Sequence, residues 1–359
     1  MAVLPDVPPA TLGPVPLSAY AADPPAAQRW DASPAWPGLT ASGDGTSAGP
    51  EAPGALIAGG RLDDVVAAKI GPGRVLVSTT ALLAPMVDSP GDFGAIVASH
   101  ACSAVLAAGA DVVVASPAGT LPKGLERATV EEIQSSAAEV VAAAGGVLAG
   151  GDAVSGHALV FGLSVQGVLR GEHLMGHAGA SVGDVLVLSK PLGTGVLLTG
   201  GSDEQRERTV ASMRELNLLA ARRLSGLGGS CHAVTTVSSR GLAGHAHNIA
   251  ERSGTCLVID STMVPCYRGA KQLASSGVVA PGTVLNRNML EPFVAVDPGS
   301  GPAMEALAFD PQTSGGLLAA VDADDVADLV EAGFRPIGTV REVGTDDQGY
   351  AVEAMVQIC

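Results

Sequence analysis

The sequence predicts an α/β protein built as two mixed αβ halves. Three observations carry that prediction. Short β-branched or aliphatic runs alternate with helix-length apolar segments from residue 55 to residue 340. A glycine-rich stretch at 176–183 divides the alternation into two comparable parts. Hydrophobic residues make up 47% of the 359-residue chain, yet it holds only Trp 2, Tyr 3 and Phe 5. The core must therefore be built from Val, Ala and Leu, which suits close packing of helix on sheet.

The elements follow in order. Residues 1–54 hold 11 of the 24 prolines together with Trp30 and Trp36, and show no periodic apolar pattern. They read as an extended segment without its own core: a disordered tail, or a strap laid across the folded body, which Tyr20 and the two tryptophans favour. RVLVSTT (74–80) reads as a strand, 92–109 as a helix starting near Asp92 and stopping at Gly109, and DVVVAS (111–116) as a strand. A capping box of Thr129 and Glu132 opens a predicted helix over 129–144, and 157–171 reads as a long strand. After the junction come strand 184–190, helix 205–226, helix 241–252, strand 256–260, helix 266–276, strand 316–321, helix 323–332 and strand 335–340. The boundaries expected are an extended segment 1–54, an N-terminal domain 55–175, a C-terminal domain 176–345 and a terminal strand or tail 346–359.

Charge and composition exclude several function classes. The net charge is −16, which repels phosphate backbones and anionic lipid, so neither a nucleic acid nor a membrane surface is an expected partner. The N-terminal residues show no basic region followed by an apolar run, and no apolar stretch approaches the roughly 20 residues of a membrane span. The five cysteines form no CxxC pair, which argues against a disulfide scaffold or structural zinc. The expected location is the cytoplasm.

Three segments carry glycines and polar residues without a core-packing reason: TTALLAPMVDSPGDFG (79–94), SKPLGTG (189–195) and FDPQTSGGLLAA (309–320). Glycine-rich turns at element ends commonly present backbone N–H groups to an anion, although each could be an ordinary tight turn. Neither GxxxxGK[ST] nor GxGxxG occurs.

Together these segments resemble selenophosphate synthetase (selenide, water dikinase), of the aminoimidazole-ribonucleotide-synthetase-like superfamily. The matching residues are Pro85 through Gly94, Gly150-Gly151, Gly179 through Gly195, and Asp310 through Gly316, in order over roughly residues 60–345. The resemblance implies two αβ domains, a homodimer pairing through the N-terminal halves, and an ATP site between the domains under an N-terminal lid. It also implies magnesium held on ATP by aspartates from separate segments. Asp63 matches one of these. The others fall on Ala81, on Ala104 of the His100-to-Ala104 helix, and on Thr236 of the Thr236-to-Gly241 turn, where Arg240 replaces an aromatic residue. The Cys-then-Lys pair expected in the lid is also missing, because residues 1–68 contain neither residue.

Without those carboxylates a hard divalent ion loses its preferred ligands. The expectation is therefore a chain that has lost Mg-ATP phosphoryl transfer. It would use the inter-domain cleft for a metal-free cyclisation or rearrangement of a biosynthetic intermediate, with no cofactor. The alternatives are an active ATP- and Mg²⁺-dependent dikinase and a non-catalytic homologue. Catalytic candidates are His100, Arg240 and Asp63, with Asp63 the only retained metal-ligand candidate. The former phosphate-site turns supply Lys190, Gly193, Thr194, Gly195, Asp310, Gln312, Thr313 and Ser314. The cleft lining is expected from Thr79, Thr80, Ala81, Ala104 and Thr236, roofed by Trp30 and Trp36. His100 reads equally as ligand-contacting or space-filling, and His245 as structural. The expected partners are a small-molecule substrate and a second copy of the chain.

Overall fold

The computed structural model describes Leu17, residues 56–58, 64–171, 173–344 and 355–359. Trp30, Trp36, Asp63 and, Leu17 apart, the segment 1–54 lie outside the described residues.

The first half forms one sheet from β1 (Leu56–Ala58), β2 (Val66–Gly71), β3 (Arg74–Leu83), β4 (Asp111–Pro122), β5 (Val147–Leu148), β6 (Asp152–Gly156) and β7 (Val160–Arg170). Its order is β1-β2-β3-β7-β4-β5, with β6 also pairing with β4. β3 and β4 both lie antiparallel to β7, and β5 and β6 run parallel to β4. Along β3 the pleat sends Val75, Val77, Thr79 and Ala81 to one face and Leu76, Ser78, Thr80 and Leu82 to the other. The first set faces the helices α1 (Pro90–Ala107) and α2 (Arg127–Ala143).

The second sheet takes β8 (Val185–Leu188), β9 (Cys231–Thr236), β10 (Cys256–Ile259), β11 (Val294–Val296), β12 (Leu317–Val321), β13 (Arg335–Arg341) and β14 (Val356–Ile358). The order is β11-β14-β10-β13-β8-β12-β9. Its helices are α3 (Thr194–Gly200), α4 (Asp203–Arg214), α5 (Leu218–Gly226), α6 (Gly241–Ser253), α7 (Ala270–Ser275), α8 (Pro281–Leu290), α9 (Gly301–Phe309) and α10 (Val326–Glu331). β12, between β8 and β9, is buried at all five residues, which explains its unbroken apolar run.

Helix α1 joins the halves. Thirteen of its 18 residues are buried, because one side packs on the first sheet and the other meets the second half. A helix covered all round loses the polar stripe that marks a surface helix. Gly94 lets α2 cross closely: a Cβ there would lie 2.1 Å from the carbonyl oxygen of Ile133.

Several predicted boundaries change for local reasons. Helix α1 is capped by Ser89, whose hydroxyl accepts from the Asp92 N–H, rather than by Asp92. Thr129 and Glu132 lie inside α2, which begins at Arg127, and a true capping box joins Ser202 and Gln205 at the start of α4. The single helix expected at 205–226 is two helices, α4 and α5, with Glu215 extended between them. β9 escaped prediction because its six residues, CHAVTT, mix polar and apolar types without alternation.

Candidate functional site

A crevice between the halves is lined by Asp64 and Val65 before β2, Ala104, Ala107 and Ala108 of α1, Gly176 and His177 of the junction, and Val234 of β9. It is small, about 40 Å³. A larger pocket, about 230 Å³, lies apart from it, where β4 and β6 meet α2.

Asp64 organises this crevice. Its Oδ2 accepts from the Thr235 hydroxyl at 2.9 Å and from the Thr236 N–H and hydroxyl at 3.3 Å each, and it pairs with His177 Nε2 at 3.1 Å. Burial alone would raise its pKa, but the hydrogen bond and charge of His177, the charge of His245 and the Thr235 hydroxyl together hold it well below the usual carboxylate range. Thr79 holds the same loop from the first sheet, donating its hydroxyl to the Asp64 carbonyl at 3.0 Å. Asp64 therefore clamps the first half to β9 of the second. The sequence offered Asp63 for this position; Asp63 lies outside the described residues, and its neighbour is the acid that reaches the crevice.

Three histidines surround this carboxylate. His177 touches it directly, and His245 reaches it through Thr235, with Nδ1 3.0 Å from the Thr235 hydroxyl. His100 sits on α1, and its Nδ1 accepts from the Ser314 N–H at 3.3 Å. Burial lowers the His100 pKa, with the Asp64 charge opposing the shift. Its contact is thus with the 310–316 turn, while Ala104, one helical turn further on, lines the crevice.

The glycine-rich turns meet each other. Gln312 Oε1 accepts from the N–H groups of Gly193 and Thr194 at 3.0 and 3.1 Å, and Asp310 Oδ2 accepts from the Gly195 N–H at 3.0 Å. The donors that could cradle a phosphate are therefore filled by this chain's own amide and carboxylate. The Thr313 N–H is likewise taken, by the Thr194 hydroxyl at 3.1 Å. Asp310 Oδ1 is buried without a hydrogen-bond partner, and burial pushes the carboxyl up to about 6, against the hydrogen bonds from Gln312, Val196 and Gly195. A Cβ on Gly316 would lie 2.4 Å from the Lys190 nitrogen, so only glycine fits where the two turns touch.

Lys190 is a clamp in this arrangement. Its ammonium donates to the carbonyls of Ser212, Glu215 and Ser314 at 3.1, 2.7 and 3.3 Å, which uses its three protons. Burial lowers it to about 8, with the Glu215 charge opposing. Ser314 itself has φ +50°, the one positive-φ residue besides glycines among the described residues, and its hydroxyl donates to Ser99 of α1 at 3.0 Å. Ser99 in turn donates to the Glu215 carbonyl, and Asn217 bridges Ser103 and the Gly315 carbonyl. The strained turn, α1 and the α4–α5 corner are thus one interlocked unit.

Of the residues expected to line the cleft, Thr236 touches Asp64, and Thr79 and Ala81 lie on the inner face of β3. Thr80 points to the opposite face, where its hydroxyl meets Ser164 at 3.3 Å. Arg240 is the N-cap residue of α6, close enough for its charge to disfavour protonation of His245. His177 and Thr235 escaped the sequence reading, since no local pattern marks a residue whose partner, Asp64, lies over a hundred positions away.

The family is decided by two matches that together cover the two sheets. Residues 53–169 match the family described as AIR synthase related protein, N-terminal domain, and residues 181–353 match its C-terminal domain. The chain belongs to the AIR synthase related family. Within it, the chain is selenophosphate-synthetase-like. It is 37% identical over 278 residues to a selenide, water dikinase of Geobacter metallireducens, covering 74% of this chain and 78% of that one. It is 32% identical over 274 residues to selenide, water dikinase 2 of Peptoclostridium acidaminophilum, covering 75% and 78%.

Solved structures agree on the fold of this AIR synthase related chain. A thiamine-monophosphate kinase from Stenotrophomonas maltophilia K279a superposes with a TM-score of 0.61 at 18% identity, over 82% of this chain and 91% of that one. The hydrogenase maturation protein HypE in complex with ATP gives 0.56 at 18%, over 77% and 78%.

These findings correct two expectations. A chain that has lost Mg-ATP phosphoryl transfer and turned to a metal-free cyclisation or rearrangement is not what the relatives support, because selenide, water dikinases match it at 31 to 37% identity over about three quarters of its length. The expectation of no cofactor falls with it, since ATP is the cofactor such relatives imply. The error had a physical root. The four motif positions are only part of the site, because the crevice is assembled by backbone turns and by Asp64, whose partners Thr235 and Thr236 come from the other half of the chain.

Proposed function

We propose that this chain is an ATP-dependent phosphoryl transferase of the selenide, water dikinase kind, acting at the crevice around Asp64. The observation that carries the reading is the identity to named dikinases along both halves of the chain, on either side of that crevice. As the name states, such an enzyme phosphorylates selenide and water.

The residues present fit a divalent ion only in part. Among the described residues named above, the crevice offers one carboxylate, Asp64, with threonine hydroxyls and imidazoles beside it. That set suits a single cation carried in on the nucleotide and does not suit a cluster anchored by several aspartates. Such an ion would screen phosphate charge. The chain's own contribution is positional: Asp64 fixes Thr235 and Thr236, α1 fixes Ala104 and His100, and the Lys190 clamp fixes the 310–316 turn. For nucleotide phosphates to use the N–H groups of Gly193 to Gly195, the Gln312 and Asp310 side chains must give way.

We further infer that the chain works as a homodimer through the outer face of the first sheet, where Val66 and Leu82 are about half exposed. Consumption of ATP implies a cytoplasmic site of action, and no described helix is long and apolar enough to cross a membrane. Isothermal calorimetry with ATP and Mg²⁺, followed by an assay for selenide-dependent formation of AMP, tests the reading. Micromolar binding with selenide-dependent turnover is expected, and absence of nucleotide binding would overturn it.

A further inference from the structure

We propose that Asp184, His232 and Asp322, at one end of the second sheet, form a binding site for a first-row divalent cation, Zn²⁺ being the ion that their donors suit. The site lies apart from the crevice. His232 is the second residue of β9, whereas Thr235 and Thr236, which hold Asp64, are at the other end of that strand. It needs neither a nucleotide nor the chemistry proposed above.

Three neighbouring strands deliver the donors. β12 lies between β8 and β9, and its Val321 pairs with Val185 on one side and with Cys231 on the other. One residue further out, Asp184 leads into β8 and Asp322 leaves β12, with the Asp322 N–H donating to the Ser230 carbonyl at 3.0 Å. β9 brings its donor to the same end through a bulge. Its register passes from Ala233 opposite Ala320 to Cys231 opposite Val321, so His232 is the extra residue. Bulges re-aim side chains, and this one sets the imidazole against Asp184. One ligand atom from each of the three residues lies within 4.8 Å of the other two.

The spacing and chemistry of the three fit a cation. Asp184 is only 3% exposed, and the Ser181 N–H donates to its Oδ2 at 2.8 Å, the kind of outer contact that orients a metal-binding carboxylate. His232 Nδ1 stands 2.9 Å from both Asp184 oxygens, favouring neither. Two donors bound to one ion at about 2.0–2.2 Å stand about 3 Å apart, so this pair already spans the edge of a coordination shell. Asp322 brings a second carboxylate to the same point, and among the described residues its side chain makes no hydrogen bond or ion pair. Two carboxylates that converge in this way repel each other, and a divalent ion between them replaces that repulsion with attraction. One nitrogen and two carboxylates fall short of the roughly six to eight oxygens that calcium takes, and the imidazole disfavours magnesium. Zinc accepts such a set, with water as a further ligand.

The test uses the full, untagged chain stripped of metal with a chelator. Co²⁺ is titrated in and followed by visible absorption, then displaced with Zn²⁺. One ion per chain is expected, with the intense d–d bands of low-coordinate cobalt and no thiolate charge-transfer band, because none of the three donors is sulfur. Asp322→Asn is the decisive variant, since that side chain makes no hydrogen bond or ion pair among the described residues. Its Zn²⁺ affinity should fall at least about tenfold. His232→Gln should lose the cobalt bands; should it fail to fold, Asp322→Asn decides alone. At one Zn²⁺ concentration the melting temperature should rise more in wild type than in Asp322→Asn. No binding, a thiolate band, or equal affinity in Asp322→Asn would overturn the site. Loss of the ion in Asp64→Asn with its retention in Asp322→Asn would also overturn it, by placing the ion in the crevice.

Discussion

Replacing Asp64 with Asn removes one charge and almost no volume, so it isolates what the carboxylate does between the two halves. Four donors converge on Oδ2: the Thr235 hydroxyl at 2.9 Å, His177 Nε2 at 3.1 Å, and two Thr236 groups at 3.3 Å. A hydrogen bond to a charged group contributes about 1.5–3 kcal/mol and a neutral one about 0.5–1.5 kcal/mol. If the amide oxygen takes the same place, the two shorter bonds each fall by about 1 kcal/mol. The side chain is 21% exposed, which trims the charge effect, so a loss of about 2 kcal/mol is expected. Urea unfolding at neutral pH measures it. The pH dependence supplies a second reading. The folded pKa is depressed, so the stabilisation is complete above the unfolded value of about 3.9 and is lost as pH falls through the folded one. Wild type and Asp64→Asn should therefore differ most above about pH 4 and converge on further acidification. A difference below about 0.5 kcal/mol at neutral pH would refute the interdomain clamp.

Three further outcomes follow from the same geometry. Gly94→Ala sets a Cβ 2.1 Å from the Ile133 carbonyl, and backbone cannot move as a side chain can, so urea unfolding should show a loss of at least about 2 kcal/mol. The Asp310 carboxyl is raised to about 6, so the folded state favours its proton and stability should fall as pH rises from about 4 through 6; Asp310→Asn should remove that slope in unfolding curves taken across the window. Leu82→Arg places a charge on the outer face of the first sheet, where Leu82 is 53% exposed, and should shift sedimentation toward the monomer while leaving the circular dichroism spectrum unchanged.

The fold was legible in residue order because it rests on local rules. Aliphatic runs became strands, and Gly109 and Gly254 stopped helices by accepting positive φ. The motif glycines announced backbone contacts that the structure contains, down to Gly316 against Lys190. Local rules failed where burial removed polar periodicity, as in β9, or where a charged pair left the facing residue open, as with Asp63 and Asp64.

What the sequence by itself determined is the family, the two αβ halves and the segments that form the turns. Only the tertiary structure decided what those turns bind. Gly193 to Gly195 read as an open anion cradle until Asp310 and Gln312, more than 110 residues away, filled the donors. Asp64 and His245 are linked only because β9 brings Thr235 between them. Strand and helix propensities act over a few residues, whereas a hydrogen bond needs its partners within about 3 Å in space. Order along the chain carries the first kind of information and leaves the second to packing.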